Sequence, residues 1–82
     1  MNIPHIYRQY KDGRFEGAQS LLGVNADQPV LRQGDLYVLD GIAYEVTAQF
    51  AKDISGLFFF MYFFDPRTQI AKDLQSILDA IV

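Results

Sequence analysis

Eight consecutive apolar residues, LFFFMYFF at positions 57–64, constrain this chain more than any other feature. Six of the eight are aromatic. In a strand, Leu57, Phe59, Met61 and Phe63 face one side, and Phe58, Phe60, Tyr62 and Phe64 face the other. Neither set is polar. Fully burying one such side chain is worth roughly 1.5–3 kcal/mol. A chain of 82 residues has a total stability of only about 5 kcal/mol. Both faces of the run therefore need cover. Its shortness, its aromatic content and the flanking Ser55-Gly56 and Asp65-Pro66 favour a strand over a helix. It is far shorter than the ~20 residues that span a bilayer as a helix.

The neighbouring sequence predicts what the run pairs with. In LYVL-DG-IAYEV the Asp40-Gly41 pair stands between β-rich segments, and Asp-Gly suits the two positive φ angles of a type I′ turn. From Ile42 the residues alternate, with Ile42, Tyr44, Val46, Ala48 and Phe50 on one side. The segment AKDISG reads as a loop leading into the run. Residues 35–64 thus form a three-stranded antiparallel meander. Upstream, IYRQY-KDG-RFEGA predicts a hairpin across residues 3–21, closed by a three-residue Lys-Asp-Gly loop in which Gly13 takes positive φ. Residues 22–34 hold two glycines and a proline and read as a connecting loop. Phe15 to Leu22 fits either the hairpin's second strand or a short helix, and strand is the favoured reading.

The chain closes on a helix over 66–81. Asp65 serves as N-cap and Pro66 as the first helical residue. Ile70, Leu74, Ile77, Leu78 and Ile81 make one apolar stripe. That stripe covers one face of the sheet. The other face is covered either by curling the sheet into a barrel or by a second copy about a two-fold axis. The stretch QGDLYVLDGIAYEV, with Gly-Asp ahead of a DG hairpin, is similar to many small SH3-like barrels, a likeness that bears on fold alone. The expected architecture is a single α+β domain, residues 1–82. It has four or five antiparallel strands, strongly curved or barrel-like, with the C-terminal helix packed on them.

Composition narrows function by exclusion. Charged residues make up 21% of the chain and half the residues are apolar, so a disordered chain is not expected. The formal charge of −3 is unevenly spread. Arg8, Lys11 and Arg14 lead a basic N-terminal stretch, and Glu16, Asp27, Asp35, Asp40 and Glu45 make the middle acidic. This balance does not suit a duplex-DNA binder. Cysteine is absent, which removes thiolate chemistry and the commonest zinc ligands. The start, MNIPHIYRQYKDG, has no apolar core of a signal peptide, and a cytoplasmic protein is expected.

No arrangement of residues predicts catalysis. His5 is the single histidine and reads as a solvated side chain near a terminus. No serine stands in a nucleophile-elbow pattern, the aspartates sit at turns where they are expected anyway, and the glycines form no phosphate loop. No metal or cofactor is expected. The first hairpin interleaves aromatic and basic residues, and Tyr7, Arg8, Tyr10 and Arg14 are the candidate partner contacts, since tyrosine and arginine often anchor interfaces. Phe58, Phe60, Tyr62 and Phe64 are the candidate core or dimer face. The expected function is a small non-enzymatic protein-binding module, of the accessory or inhibitor type found in bacteria and their viruses. The alternatives are a homo-oligomeric structural subunit and a small-barrel module for single-stranded nucleic acid.

Overall fold

A computed structural model describes residues 3–81; Met1, Asn2 and Val82 of the expected domain lie outside the described residues. The fold is α+β. Strands β1 (His5–Lys11), β2 (Arg14–Phe15), β3 (Gln19–Ser20), β4 (Leu36–Leu39), β5 (Ile42–Ile54) and β6 (Leu57–Asp65) precede one helix, α1 (Gln69–Ile81). Across the sheet the order is β2-β1-β6-β5-β4, with β3 also beside β1. β1 and β6 run parallel, and every other pair is antiparallel. The two ends of this sheet do not meet, so it stays open and the barrel closure expected as one alternative is not formed.

Three tight turns organise the strands. Asp12-Gly13, Asp40-Gly41 and Ser55-Gly56 each have positive φ at both residues, the requirement of a type I′ turn, whose twist matches that of the strands it joins. The Asp40-Gly41 hairpin stands as expected, with Leu39 opposite Ile42 and Tyr37 opposite Tyr44. The first hairpin is tighter than its Lys-Asp-Gly loop implied, since Lys11 pairs with Arg14 and only two residues turn. Its second strand is broken into the short bridges β2 and β3. AKDISG is no loop. Ala51 to Ile54 continue β5 and pair with Leu57 to Phe60, which leaves Ser55-Gly56 as the turn.

One irregularity redirects the longest strand. Val46 lies opposite Phe64, but Ala48 lies opposite Phe63, so the ladder carries a bulge at Thr47. A bulge adds one residue on one strand and reverses the alternation beyond it. Ile42, Tyr44 and Val46 therefore keep one face, while Ala48 and Phe50 move to the opposite one, contrary to the unbroken alternation expected.

The even-numbered side of the run is the core. Phe60, Tyr62 and Phe64 cluster with Tyr7, Leu21, Tyr44 and Val46, and Ile3, Val24, Leu31, Tyr37 and Leu39 pack around them. The cover on this side is the segment 21–31, which reads as a bare connection in the sequence. A buried relay pins it. The Val30 N–H donates to the Tyr62 hydroxyl oxygen at 3.0 Å. His5 Nδ1 lies 2.8 Å from the same oxygen, and its Nε2 lies 3.0 Å from the Ala26 carbonyl. A carbonyl only accepts, so Nε2 carries the proton and Nδ1 accepts from the Tyr62 O–H. His5 is 4% exposed, and the expectation of a solvated histidine is corrected.

The odd-numbered side is covered differently. Phe63 packs against Phe15 and Phe50 at 5.1 and 5.9 Å between ring centroids, with the Arg8 guanidinium 5.7 Å above its ring. The helix does not cover the run. It packs on β5, where Gln75 accepts from the Ala43 N–H at 2.8 Å and donates to the Gly41 carbonyl at 3.2 Å. Ala71 is its buried residue, with Leu74 and Leu78 half-buried, while Ile70, Ile77 and Ile81 of the expected stripe remain exposed. The helix also starts later than expected, because Asp65 is the last strand residue. Thr68 is the N-cap, accepting from the Ala71 N–H at 3.4 Å.

Candidate functional site

The sheet contains a gap one strand wide. The last β6 residues in register are Phe64, opposite Gln9 of β1, and Asp65, opposite Glu45 of β5. Past that point β6 turns away at Pro66, while β1 continues to Lys11 and β5 reaches back to Ile42. Neighbouring strands stand about 4.8 Å apart, so two strands flanking an empty place stand about 10 Å apart. A cleft of about 510 Å³ opens there, within the range of small-ligand and anchor-residue pockets. Tyr10 and Lys11 line one side, and Leu39, Ile42 and Tyr44 the other. Pro66 and Arg67 close the end, with Asp12 and Asp40 at the two turns beside it.

The end wall is rigidly held. Asp65 accepts from the Arg67 backbone N–H at 2.9 Å, from Nε at 3.0 Å and from Nη2 at 2.9 Å. The guanidinium also lies 3.6 Å over the Tyr10 ring, a stacked arrangement that arginine favours. The hydrogen bonds from the Arg67 side chain hold the Asp65 carboxyl below its usual range, against the opposing effect of burial. A carboxyl lowered on folding stabilises the fold above its unfolded pKa of about 3.9 and loses that contribution as pH falls through the folded value. Asp65→Asn is therefore expected to lose less stability than the native chain between pH 5 and pH 2. The difference, about 1–2 kcal/mol, is read from urea melts at each pH. Parallel acid limbs for the two chains would show that the pair carries no such weight.

Tyr44 presents the cleft's open polar group. The residue is 4% exposed, and among the described residues nothing hydrogen-bonds its hydroxyl. Burial first, then the neighbouring Tyr7 and the charge of Asp40, push its phenol above the ordinary tyrosine value. It stays protonated, with an O–H that no described residue takes up, and Tyr44 lines the cleft beside Leu39 and Ile42.

The four expected contact residues do not form one surface. Tyr7 is buried, stacked on Phe64 at 4.9 Å. Arg8 is turned inward, donating from Nε to the Glu16 carbonyl at 2.8 Å. Arg14 is exposed on β2, and of the four only Tyr10 reaches the cleft. Phe60, Tyr62 and Phe64 lie in the core, and Phe58 is 42% exposed. Ile42 and Tyr44 stand in the sequence only as members of an alternating strand, and Arg67 carries no pattern of its own. The gap that assembles them comes from the parallel pairing of β1 with β6, for which the sequence carries no local signal.

Among the described residues no helix is long and apolar enough to cross a membrane. No family model matches this chain, and no curated protein or solved structure matches it either.

Proposed function

We propose that this chain is a small, non-enzymatic protein-binding module that takes an anchoring side chain of its partner into the cleft between β1 and β5. The observation that supports this is the cleft itself, lined by the apolar Leu39, Ile42 and Pro66 and the rings of Tyr10 and Tyr44, with Lys11, Asp12, Asp40 and Arg67 beside them. Interfaces draw most of their affinity from a few side chains seated in such desolvated pockets. His5, the one imidazole, is committed through both ring nitrogens to holding the fold. A partner blocked by this contact would make the chain an inhibitor; one merely held would make it an accessory subunit.

Affinity capture from the native cell, run in parallel with the native chain and Ile42→Arg, tests the reading. Ile42 is 43% exposed, so the substitution should leave folding intact. The partner retained by the native chain is expected to bind the variant at least about tenfold more weakly. Equal recovery of the same proteins by both would remove the cleft from the interface.

The nucleic-acid alternative has less to rest on. It needed Tyr7, Arg8, Tyr10 and Arg14 as one stacking surface on a barrel, and the placements of Tyr7 and Arg8 do not provide one.

A further inference from the structure

The hairpin of β5 and β6 reaches beyond the strands that flank it. β4 pairs with β5 from Ile42 to Glu45, and the Gly34 and Asp35 backbones close the edge at Val46. β1 pairs with β6 from Phe60 onward. Past these points, among the described residues, β5 and β6 pair only with each other, and the molecule measures 44 Å along its longest axis. The 13 residues of β5 span about 43 Å at 3.3 Å each.

Among the described residues the outer edge of this arm is unpaired, with a definite pattern of open groups. Ser55-Gly56 is a two-residue turn, so its closing pair Ile54 and Leu57 exchanges both main-chain bonds. By alternation Lys52, Phe50 and Ala48 also bond toward β6. The N–H and C=O groups of Gln49, Ala51 and Asp53 point outward. Open edges of this kind are normally blunted by charges or proline. Here Lys52 lays its ammonium 5.1 Å over the Phe50 ring of its own strand, and the arm exposes Phe50, Ile54, Leu57 and Phe58.

We infer that β5 pairs antiparallel with β5 of a second copy, about a two-fold axis at Ala51. The three outward-pointing residues are symmetric about that position. Ala51 meets Ala51 of the second copy, Gln49 meets Asp53, and each pair exchanges both bonds. The alternating side chains follow: Phe50 lies opposite Lys52 of the second copy, and Ala48 opposite Ile54. No like charges face each other in this register. Moving the axis by one residue to Lys52 would still set open groups opposite one another, Ala51 against Asp53, but would bring the two Lys52 side chains together. The edge thus meets its own copy with its open bonds matched and no like charges opposed. This association is independent of the cleft, which lies at the opposite end of β5.

Light scattering behind a sizing column, together with amide exchange, tests it. A single strand pair sits at the low end of interface sizes, so a dimer is expected at about 500 μM and a monomer at about 5 μM. Over that range the amides of Gln49, Ala51 and Asp53 should exchange about tenfold more slowly as concentration rises, and those of Phe50, Lys52 and Ile54 should not change. Ala51→Pro removes an outward N–H that the monomer does not use, a placement an edge strand tolerates, and is expected to be monomeric with native circular dichroism. A native chain that stays monomeric at the higher concentration overturns the inference. So does a dimer whose Gln49, Ala51 and Asp53 amides are unaffected, or one that survives in folded Ala51→Pro. If Ala51→Pro fails to fold, the amide pattern of the native chain decides alone.

Discussion

Phe64→Ala is expected to remove most of the chain's stability at 25 °C. Phe64 is fully buried, and its ring lies 4.9 Å from Tyr7, 5.1 Å from Tyr37 and 5.9 Å from Tyr44. It is the point where β1, β4, β5 and β6 share one packing contact. Removing a buried phenylalanine side chain costs about 3–5 kcal/mol, because the lost transfer energy is joined by a cavity that rigid neighbours cannot close. A domain this small has about 5 kcal/mol in all. Phe58→Ala, six residues earlier on the same face but 42% exposed, should cost less than about 1 kcal/mol in the monomer. Urea melts followed by circular dichroism compare the two directly. A Phe64→Ala chain that melts within a few degrees of the native one would show that the even face of the run is not the core.

Tyr62→Phe is expected to cost about 2–3 kcal/mol although the ring and its packing survive. The hydroxyl it removes is bonded on two sides. Without it the Val30 N–H has no acceptor, and His5 Nδ1 loses its donor. Turning the imidazole to its other tautomer would only move the deficit to the Ala26 carbonyl. Unlike the loss at Phe64, this one is local at first, because the relay holds the segment 21–31 down over the sheet. Exchange of the Val30 amide should accelerate by more than the global loss of stability accounts for. Unchanged exchange at Val30, with a midpoint equal to the native one, would show that this network adds nothing to the fold.

The same relay marks a limit of what can be read from residue types. A single histidine close to the N-terminus has no pattern that distinguishes a solvated ring from a buried one. Its environment is made by residues 21 and 57 positions away, and neither Ala26 nor Tyr62 announces a partnership. The cleft is hidden for a related reason. Tyr44 is visible as an inward-facing residue of an alternating strand, and Pro66 as the end of a strand. That they border a common opening depends on β1 lying next to β6, a pairing between the two ends of the chain.

What the sequence determined by itself is the set of local elements. Asp-Gly at 40–41 dictates a tight turn, the aromatic run dictates a strand that must be dry on most of its length, and the spacing of Ile70, Leu74 and Leu78 dictates a helix. These follow from backbone sterics and from the period of apolar residues, which act over a few positions. Only the tertiary structure decided which strands neighbour which, where β5 bulges, and what covers each face. The reason lies in the run itself. Register is specified when one face of a strand is apolar and the other polar, since a slip by one residue then exposes the wrong set. LFFFMYFF is apolar on both, so its own pattern accepts either face and either direction of neighbour. The choice falls to distant contacts: the Thr47 bulge, the parallel seat of β1, and the His5–Tyr62 relay that lays the segment 21–31 across the core.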